Sequence, residues 1–259
     1  MGAILTDKEI AAYQRDGAII VDRPVLPPEK FAGLQQITGE KFEAAAIDVP
    51  DVQLIDCPHW TDPAMFDWIF ADELLDLVEP LTGPNIAVFA SHFLRKLPER
   101  CKRVSWHEDS SYWKGRLEPM EVVSVLIALS PTTRENGCLR VIPGSHRHGY
   151  SQYHDVDDQA TEVFHSEIDA DQFDESTAID LVLEPNQASI HDSRIIHASD
   201  ASSNPVTRIC FAVRYISATV AYRGRVDEIF PTYLARGEDP AGNHRGDPAQ
   251  TYPPSIFIV

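Results

Sequence analysis

The spacing of hydrophobic residues changes near position 85 of the chain. Before it, apolar side chains recur at helical intervals, with helix-capping residues at the ends. This part is predicted to form helices from after Thr6 to Gly17, over 28–46 and over 72–81, with a short strand over 18–21. Beyond it, apolar runs alternate with turn residues and predict strands over 85–94, 121–129, 138–142, 179–183, 188–191, 195–198 and 208–216.

Several short strands with frequent turns are typical of a β sandwich or barrel. We therefore predict a mainly β fold with flanking helices and a single domain over 1–259. Its parts are a helical segment over 1–84, a β core over 85–220 and a C-terminal tail over 221–259. The acidic, weakly patterned stretch 150–178 predicts a surface loop or lid. The tail is rich in Gly, Pro and Asp and is expected to be partly mobile.

The composition excludes several classes of partner. The 259 residues include 40 acidic and 22 basic side chains, a formal net charge of −18. Nucleic acids and anionic membranes require a cationic surface, so neither is expected as a partner. No apolar run approaches the about 20 residues of a membrane helix. The four cysteines form no CxxC pair, which favours reduced thiols and a cytoplasmic protein. The pattern carries no sign of an oligomeric state.

A candidate metal site is formed by two separate segments. In an extended segment, His107 and Asp109 point to the same side, and His197 on a later apolar strand offers a third ligand. Two histidines and one carboxylate make the facial triad of non-haem Fe(II) oxygenases, which leaves three metal positions open. The alternatives are an exposed His and Asp on a loop, and a histidine that is simply packed in the core.

Arg208 adds a second chemical signal. The strand over 208–216 alternates, so that Arg208 and Arg214 share a face with the small residues Cys210 and Ala212. A buried arginine requires an anion, and its planar fork fits a carboxylate in a bidentate manner. A dicarboxylate cosubstrate would supply that anion, and a protein carboxylate is the alternative. Arg214 is expected to meet an anionic substrate or a carboxylate at the far end of the barrel.

Three motifs in order resemble the phytanoyl-CoA dioxygenase family, including its bacterial ectoine-hydroxylase-like branch. They are Trp-His-Glu-Asp-Ser-Ser-Tyr-Trp over 106–113, Asn-Gly-Cys-Leu-Arg-Val-Ile-Pro-Gly-Ser-His over 136–146, and His-Ala-Ser over 197–199 followed by Arg208. The second motif has no metal-ligand logic of its own, so its presence beside the triad argues against chance. The resemblance covers about residues 85–216.

The resemblance implies a double-stranded β-helix, or cupin-like jelly roll, that uses Fe(II), O₂ and 2-oxoglutarate. It assigns residues to three groups: His107, Asp109 and His197 as metal ligands at the catalytic centre; Arg208, Ser199, His92 and Ser124 as cosubstrate contacts; and Tyr112, Trp113 and His148 as substrate contacts. Ordinary packing is the alternative for Tyr112 and Trp113. Related halogenases lack the metal-binding carboxylate, so Asp109 favours hydroxylation or desaturation over halogenation.

The predicted function is hydroxylation of a small-molecule metabolite or natural-product intermediate, with release of succinate and CO₂. A metal-binding jelly roll that acts as a sensor or scaffold is one alternative, although such a protein has no need of Arg208. A cupin-type enzyme that does not use 2-oxoglutarate is another. The acidic balance favours a cationic, zwitterionic or neutral substrate. The basic stretch over 95–103 is either a recruiter of an anionic ligand such as acyl-CoA or a solvated hairpin.

Overall fold

The computed structural model describes residues 4–45, 53–98, 102–156, 162–203, 205–224, 230–243 and 245–252. Within these ranges the α-helices are α1 (Asp7–Asp16), α2 (Pro28–Ala45), α3 (Pro58–Thr61), α4 (Phe66–Ile69), α5 (Asp72–Thr82) and α6 (Asp109–Tyr112). Short 3₁₀ turns cover Pro63–Met65, Ser145–Arg147, Ala170–Gln172 and Glu175–Thr177. The three helices predicted from the sequence are confirmed, although the predicted end of the second, Ala46, lies outside the described residues.

The strands of the described residues are β1 (Ala18–Val21), β2 (Gln53–Asp56), β3 (Ile86–Lys96), β4 (Val104–His107), β5 (Leu117–Glu118), β6 (Val122–Ala128), β7 (Leu139–Val141), β8 (Tyr153–Asp155), β9 (Ser166–Ile168), β10 (Ile179–Leu181), β11 (Ala188–Asp192), β12 (His197–Ser199), β13 (Arg208–Ser217), β14 (Ala221–Tyr222) and β15 (Tyr233–Arg236). Each run predicted as a strand overlaps one of them, and β3, β11, β12 and β13 extend one or two residues beyond the predicted end.

Two antiparallel sheets enclose a central cavity. The larger sheet has the strand order β1-β11-β6-β13-β3-β15, and β2 also pairs with β3. The smaller sheet has the order β10-β7-β12-β4. Residues from both sheets line the cavity, so the site lies between them. The predicted β core with helices packed outside it is therefore confirmed.

Alternation along β13 separates the apolar core from the cavity. Phe211, Val213 and Tyr215 are buried in the main apolar cluster, together with leucines of α5. Cys210 and Ala212 face the other way and belong to a small cluster on the cavity side of the sheet. The helices therefore cover the outer face of the larger sheet, and the inner face lines the cavity.

Gly17 joins α1 to β1 in a conformation that suits glycine. The capping box of α1 is formed by Thr6 and Glu9, and the helix ends at Gly17 with φ of 79°. A Cβ at this position would stand 2.4 Å from Nδ1 of His146. The turn that contains His146 thus packs directly against the end of the first helix.

Three segments differ from the sequence-based expectation. The stretch predicted as a loop contains the β8–β9 hairpin. The tail expected to be partly mobile contributes β15, which pairs with β3 and buries Tyr233. β2, in the part predicted to be mostly helical, also pairs with β3. All these strands are short, and β2 and β15 gain their order from β3, which is distant in sequence, so local patterns do not reveal them.

The helices of the described residues are too short or too polar to cross a bilayer. None of them combines the length and the apolar character that a membrane span requires.

A pair of glycine substitutions tests the packing at Gly17. Gly17→Ala should lower the free energy of unfolding by about 1–2 kcal/mol or more, because alanine is strained at positive φ and its Cβ meets His146. Gly39→Ala is the control, since Gly39 lies inside α2 and a Cβ added there would meet nothing within 4 Å. It should raise the same quantity by about 0.5–1 kcal/mol. Urea unfolding measures both, and equal effects would contradict the assigned contact.

Candidate metal centre

Strand pairing brings the predicted triad together. His107 is the last residue of β4 and His197 is the first of β12, and the two stand opposite each other in the antiparallel pair. Glu108 is extended (φ −120°, ψ 127°), so Asp109 points to the same side as His107, as the sequence predicted. The Glu108 carboxylate turns away and accepts a hydrogen bond from Ser151 Oγ at 2.5 Å.

The ligand atoms of the triad face a common point. Nε2 of His107 and Nε2 of His197 each lie 3.8 Å from Oδ1 of Asp109. The Nδ1 atom of His107 is 2.7 Å from the backbone oxygen of Ser105, and that of His197 is 2.9 Å from the backbone oxygen of Ile195. In these contacts each protonated Nδ1 atom donates a hydrogen bond to a backbone oxygen, which leaves the lone pair of Nε2 for a metal.

Burial and charge put the three side chains in their metal-binding forms. Burial lowers the pKa of His107 to about 3 and also lowers the pKa of His197, so both imidazoles are neutral. Burial by itself would raise the pKa of Asp109, but the positive charge of Arg214 opposes burial, and the pKa lies below the ordinary value. Neutral imidazole and ionised carboxylate are the forms that bind metals.

The donor set fits the iron that the sequence implied. Ligand atoms about 2.0–2.2 Å from one ion are at most about 4.4 Å apart. The two distances of 3.8 Å from the imidazole Nε2 atoms to Oδ1 of Asp109 lie within that limit. His107, Asp109 and His197 could therefore hold one metal ion. Two imidazoles and one carboxylate with open positions are the ligand type of non-haem Fe(II) oxygenases.

Two further residues beside the triad were not assigned to it from the sequence. Arg214 places Nη2 3.0 Å from Oδ2 of Asp109, and His191 places Nε2 4.0 Å from the same oxygen. Both stand opposite Ser124 of β6 in neighbouring strand pairs. Alternation had put Arg214 on the inner face and left its partner open between a substrate and a carboxylate. In the structure the partner of Arg214 is the carboxylate of Asp109, which could be predicted only from the strand register.

Arg208 lies at the other end of the inner face of β13. It is buried, and Nη1 donates hydrogen bonds to the backbone oxygen of Gly137 and to Oγ of Ser199. Lys96 is its register partner on β3 and donates to the backbone oxygens of Ser199 and Asp200. No carboxylate of the described residues forms an ion pair with Arg208. The alternative of a protein carboxylate thus finds no support there, and this end of the cavity suits an anion.

The cavity that joins these groups has a volume of about 320 Å³. The triad, Arg208, Lys96, Ser199, Arg214 and His191 all lie in its wall. The remaining wall is largely apolar and includes Leu54, Cys57, Ala90, Leu126, Leu139, Val163, Phe164, Ala212 and Phe230. Pockets of this size and character hold small molecules.

The structure places two of the predicted cosubstrate contacts in the cavity wall. Ser199 lies beside Arg208 and donates a hydrogen bond to the backbone oxygen of Gly137 at 2.6 Å. His92 lies on β3, and its Nε2 is 2.9 Å from Oδ1 of Asp56, a second polar side chain in the wall. His92 is therefore engaged with Asp56, and its contact with the cosubstrate stays a prediction.

The structure does not bring two other predicted residues to the cavity. Ser124 is fully buried on β6, and its larger register partners Arg214 and His191 take the lining positions instead. His148 is exposed and does not line the cavity. It follows a 3₁₀ turn that packs on α1, where the backbone N–H of Gly144 donates to the backbone oxygen of Asp16.

The predicted substrate residues Tyr112 and Trp113 both line the cavity. Tyr112 is 40% exposed, and its ring lies 5.7 Å from the ring of Phe164. Trp113 packs edge-on against Phe89 at 4.9 Å. Trp113 thus combines core packing with a lining position, so the two interpretations of this residue are compatible.

The stretch predicted as a loop supplies part of the wall. Phe164 stands edge-on to the ring of His107, with 4.8 Å between the ring centres. Arg103 holds the chain on both sides of it, through Nε to Glu162 at 2.7 Å and through Nη1 and Nη2 to Glu167 at 2.7 Å. Acidic composition was the only signal of this segment visible in the sequence, and two of its acidic residues, Glu162 and Glu167, form these ion pairs.

Sequence comparison gives an independent result. The family model for phytanoyl-CoA dioxygenase (PhyH) matches residues 13–210. Human peroxisomal phytanoyl-CoA dioxygenase is 29% identical over 226 residues, which cover 85% of this chain and 64% of the human protein. The chain therefore spans less than two thirds of the length of that relative. Ectoine dioxygenase of Sphingopyxis alaskensis is 24% identical over 279 residues, which cover 97% of this chain and 90% of that enzyme.

Solved structures share the fold. The non-heme, alpha-ketoglutarate-dependent carbocyclase SnoK from nogalamycin biosynthesis has a TM-score of 0.71 at 20% identity, covering 88% of this chain and 90% of its own. Apo EctD from S. alaskensis has a TM-score of 0.70 at 21% identity, covering 94% and 89%. The predicted jelly roll is thereby confirmed.

The family match extends over more than half of the chain and agrees with the motifs that first suggested it. The predicted use of iron and 2-oxoglutarate agrees with these solved structures, since SnoK is alpha-ketoglutarate-dependent and another structure of EctD contains bound Fe. The chain belongs to the phytanoyl-CoA dioxygenase (PhyH) family of Fe(II)- and 2-oxoglutarate-dependent oxygenases.

Proposed function

We propose that this protein hydroxylates a small molecule and converts 2-oxoglutarate to succinate and CO₂ in the same turnover. The observation that carries the proposal is the position of two unlike sites in one cavity. The His107, Asp109 and His197 triad lies near one part of the wall, and the buried cations Arg208 and Lys96 lie in another. A metal site and an anion site in one small cavity suit a metal-bound dicarboxylate.

Each group has a defined task in this proposal. His107, Asp109 and His197 hold Fe(II), and Arg208 with Ser199 binds the distal carboxylate of 2-oxoglutarate. When bound, iron and 2-oxoglutarate together supply the activation of O₂ that oxidises the substrate. Phe164, packed on His107, shields the metal side of the cavity from water.

The substrate side of the cavity favours a molecule with few polar groups. Nε2 of His92 contacts Oδ1 of Asp56 at 2.9 Å, within a wall that is otherwise apolar around Leu54, Ala90 and Phe230. A small number of placed polar groups in an apolar wall fixes the orientation of a ligand. We infer that Asp56, held in place by its contact with His92, orients a polar group of the substrate.

The basic stretch gives little support to a coenzyme A ester. Arg95 lies over the Phe42 ring at 4.2 Å and donates to Gln53. Arg103 is paired with Glu162 and Glu167, as described above. Charges that are engaged in this way are poor partners for the phosphates of coenzyme A. The relatives are named for different substrates, phytanoyl-CoA and ectoine, so neither substrate is transferred to this chain.

Binding of 2-oxoglutarate tests the role of Arg208. Under anaerobic conditions, the Fe(II)-loaded protein should develop a weak visible charge-transfer band on titration with 2-oxoglutarate. Arg208→Ala should weaken this binding by about 100-fold or more, because charge-assisted hydrogen bonds worth about 1.5–3 kcal/mol each are lost. Arg23→Ala is the control, since Arg23 pairs with Glu9 far from the cavity. An unchanged affinity in Arg208→Ala would remove the proposed cosubstrate site.

Turnover tests the metal ligands. His107→Ala should abolish the release of succinate from 2-oxoglutarate in the presence of Fe(II) and O₂, with no loss of the folded structure by circular dichroism. His154→Ala should retain the activity of the wild type, because His154 is half-exposed and its ion-pair contact within the described residues is with Asp169. Succinate release at the wild-type rate by His107→Ala would exclude His107 as an essential ligand.

A panel of compounds tests the substrate class. We expect small cationic, zwitterionic or neutral molecules to stimulate succinate release, and we expect coenzyme A esters to have no such effect. The reason is the acidic net charge of −18, together with the contacts of Arg95 with Gln53 and Phe42 and the ion pairs of Arg103. Stimulation by an acyl-CoA, and not by its free acid, would contradict this expectation.

A further inference from the structure

The two oxygens of the Asp109 carboxylate meet different neighbours. Oδ1 faces Nε2 of His107 and Nε2 of His197, at 3.8 Å from each. Oδ2 lies 3.0 Å from Nη2 of Arg214, whose side chain is only 11% exposed. We propose that Arg214 is a positioning residue that directs Oδ1 to the iron and holds Oδ2 away from it. This inference rests on the proposed function, in which the triad binds Fe(II).

Arg214 reaches Asp109 because its neighbours on the inner face of the sheet are small. The residue opposite Arg214 on β3 is Ala90, and the residue opposite it on β6 is Ser124. Its guanidinium carbon stands 5.7 Å from the centre of the Trp113 ring, so an aromatic side chain supports the cation from another side. A planar guanidinium held in this way fixes an orientation that a flexible ammonium group does not.

The choice of oxygen decides how many metal positions remain open. A facial triad leaves three positions, which the cosubstrate and O₂ require. Carboxylates bind metals through one oxygen or through both. If Asp109 used both oxygens, one of those three positions would be lost. The ion pair with Arg214 opposes this, because Oδ2 would have to leave its partner.

Arg214 also offsets the charge of Asp109 independently of a metal. Both side chains are largely buried, and a buried carboxylate without a partner is unfavourable. His191 adds a polar neighbour 4.0 Å from Oδ2. With Arg214 in place, the carboxylate already has the orientation that the metal requires, so little reorganisation accompanies metal binding.

Contact with the substrate is the competing role for Arg214. Its Nε and Nη1 atoms are buried and have no hydrogen-bond partner among the described residues, and the side chain lines the cavity. A residue that only binds substrate would change the KM for that substrate and leave metal binding unaltered. Metal affinity in the absence of substrate therefore separates the two roles.

Co(II) is a suitable probe because its visible absorption reports coordination and it can be titrated without turnover. Arg214→Met should weaken Co(II) binding by about 10–100-fold, the usual effect of removing a residue that orients a metal ligand. Arg214→Lys should restore part of the affinity, since it keeps the charge. Arg245→Met is the matched control, because Arg245 is 12% exposed and pairs with Asp239 at 2.9 Å without lining the cavity, and it should leave Co(II) affinity unchanged. Circular dichroism confirms that each variant is folded.

A double-mutant cycle with Asp109→Asn gives the decisive comparison. If Arg214 acts through Asp109, then Arg214→Met should cause no further loss of Co(II) affinity in the Asp109→Asn background. Additive losses, or wild-type Co(II) affinity in Arg214→Met and Arg214→Lys, would overturn the proposal. If Arg214→Met does not fold, Arg214→Lys takes its place in the cycle.

The same titrations separate failure of this inference from failure of the proposed function. Wild-type Co(II) affinity in both His107→Ala and Asp109→Asn would show that the triad is not the metal site, and the proposed function would fall with it. Weakened binding in those two variants, with wild-type binding in the Arg214 variants, would remove only the positioning role.

Discussion

The antiparallel pairing of β4 with β12 sets His197 opposite His107 across two strands of the smaller sheet. Backbone hydrogen bonds fix that pairing, and backbone oxygens of Ser105 and Ile195 then fix the rotation of each imidazole. Asp109 completes the set from the first turn of α6, and the larger sheet supplies Arg214 and Arg208 from the facing wall. The metal site therefore depends on how the two sheets are held together, as well as on the three side chains that would touch iron.

Buried charge explains much of what surrounds this pairing. Asp109, Arg214, Arg208 and Lys96 all lie in or beside a largely apolar cavity, where an uncompensated charge is costly. Asp109 and Arg214 offset each other. Among the described residues, Arg208 donates hydrogen bonds only to neutral acceptors, which belong to Gly137, Ser199 and Cys210. This contrast indicates which cation is engaged in structure and which is left for a ligand.

The sequence was sufficient to predict the elements with strong local patterns. Alternation along β13 placed Arg208 and Arg214 inside, and the His-x-Asp spacing placed His107 and Asp109 on one side. Gly137 of the second motif is now also explained, since its backbone oxygen accepts hydrogen bonds from Arg208 and Ser199, and a Cβ at this position would meet the Asp200 oxygen at 2.4 Å. The partnership of Arg214 with Asp109 could not be predicted, because it depends on the register between β13 and β6. The contributions of β2, Phe164 and Phe230 to the cavity could not be predicted for a related reason, since these segments are ordered by contacts remote in sequence.

In the segment over 162–168, one set of residues attaches the segment to the protein and another lines the cavity. Glu162 and Glu167 attach it to Arg103, at the start of the strand that ends in His107, and Val163 and Phe164 face the cavity. The facing positions are thus free to vary in size and shape while the ion pairs keep the segment in place. Such a division allows the range of accepted molecules to change over evolution, or by engineering, without disturbing the metal ligands behind it.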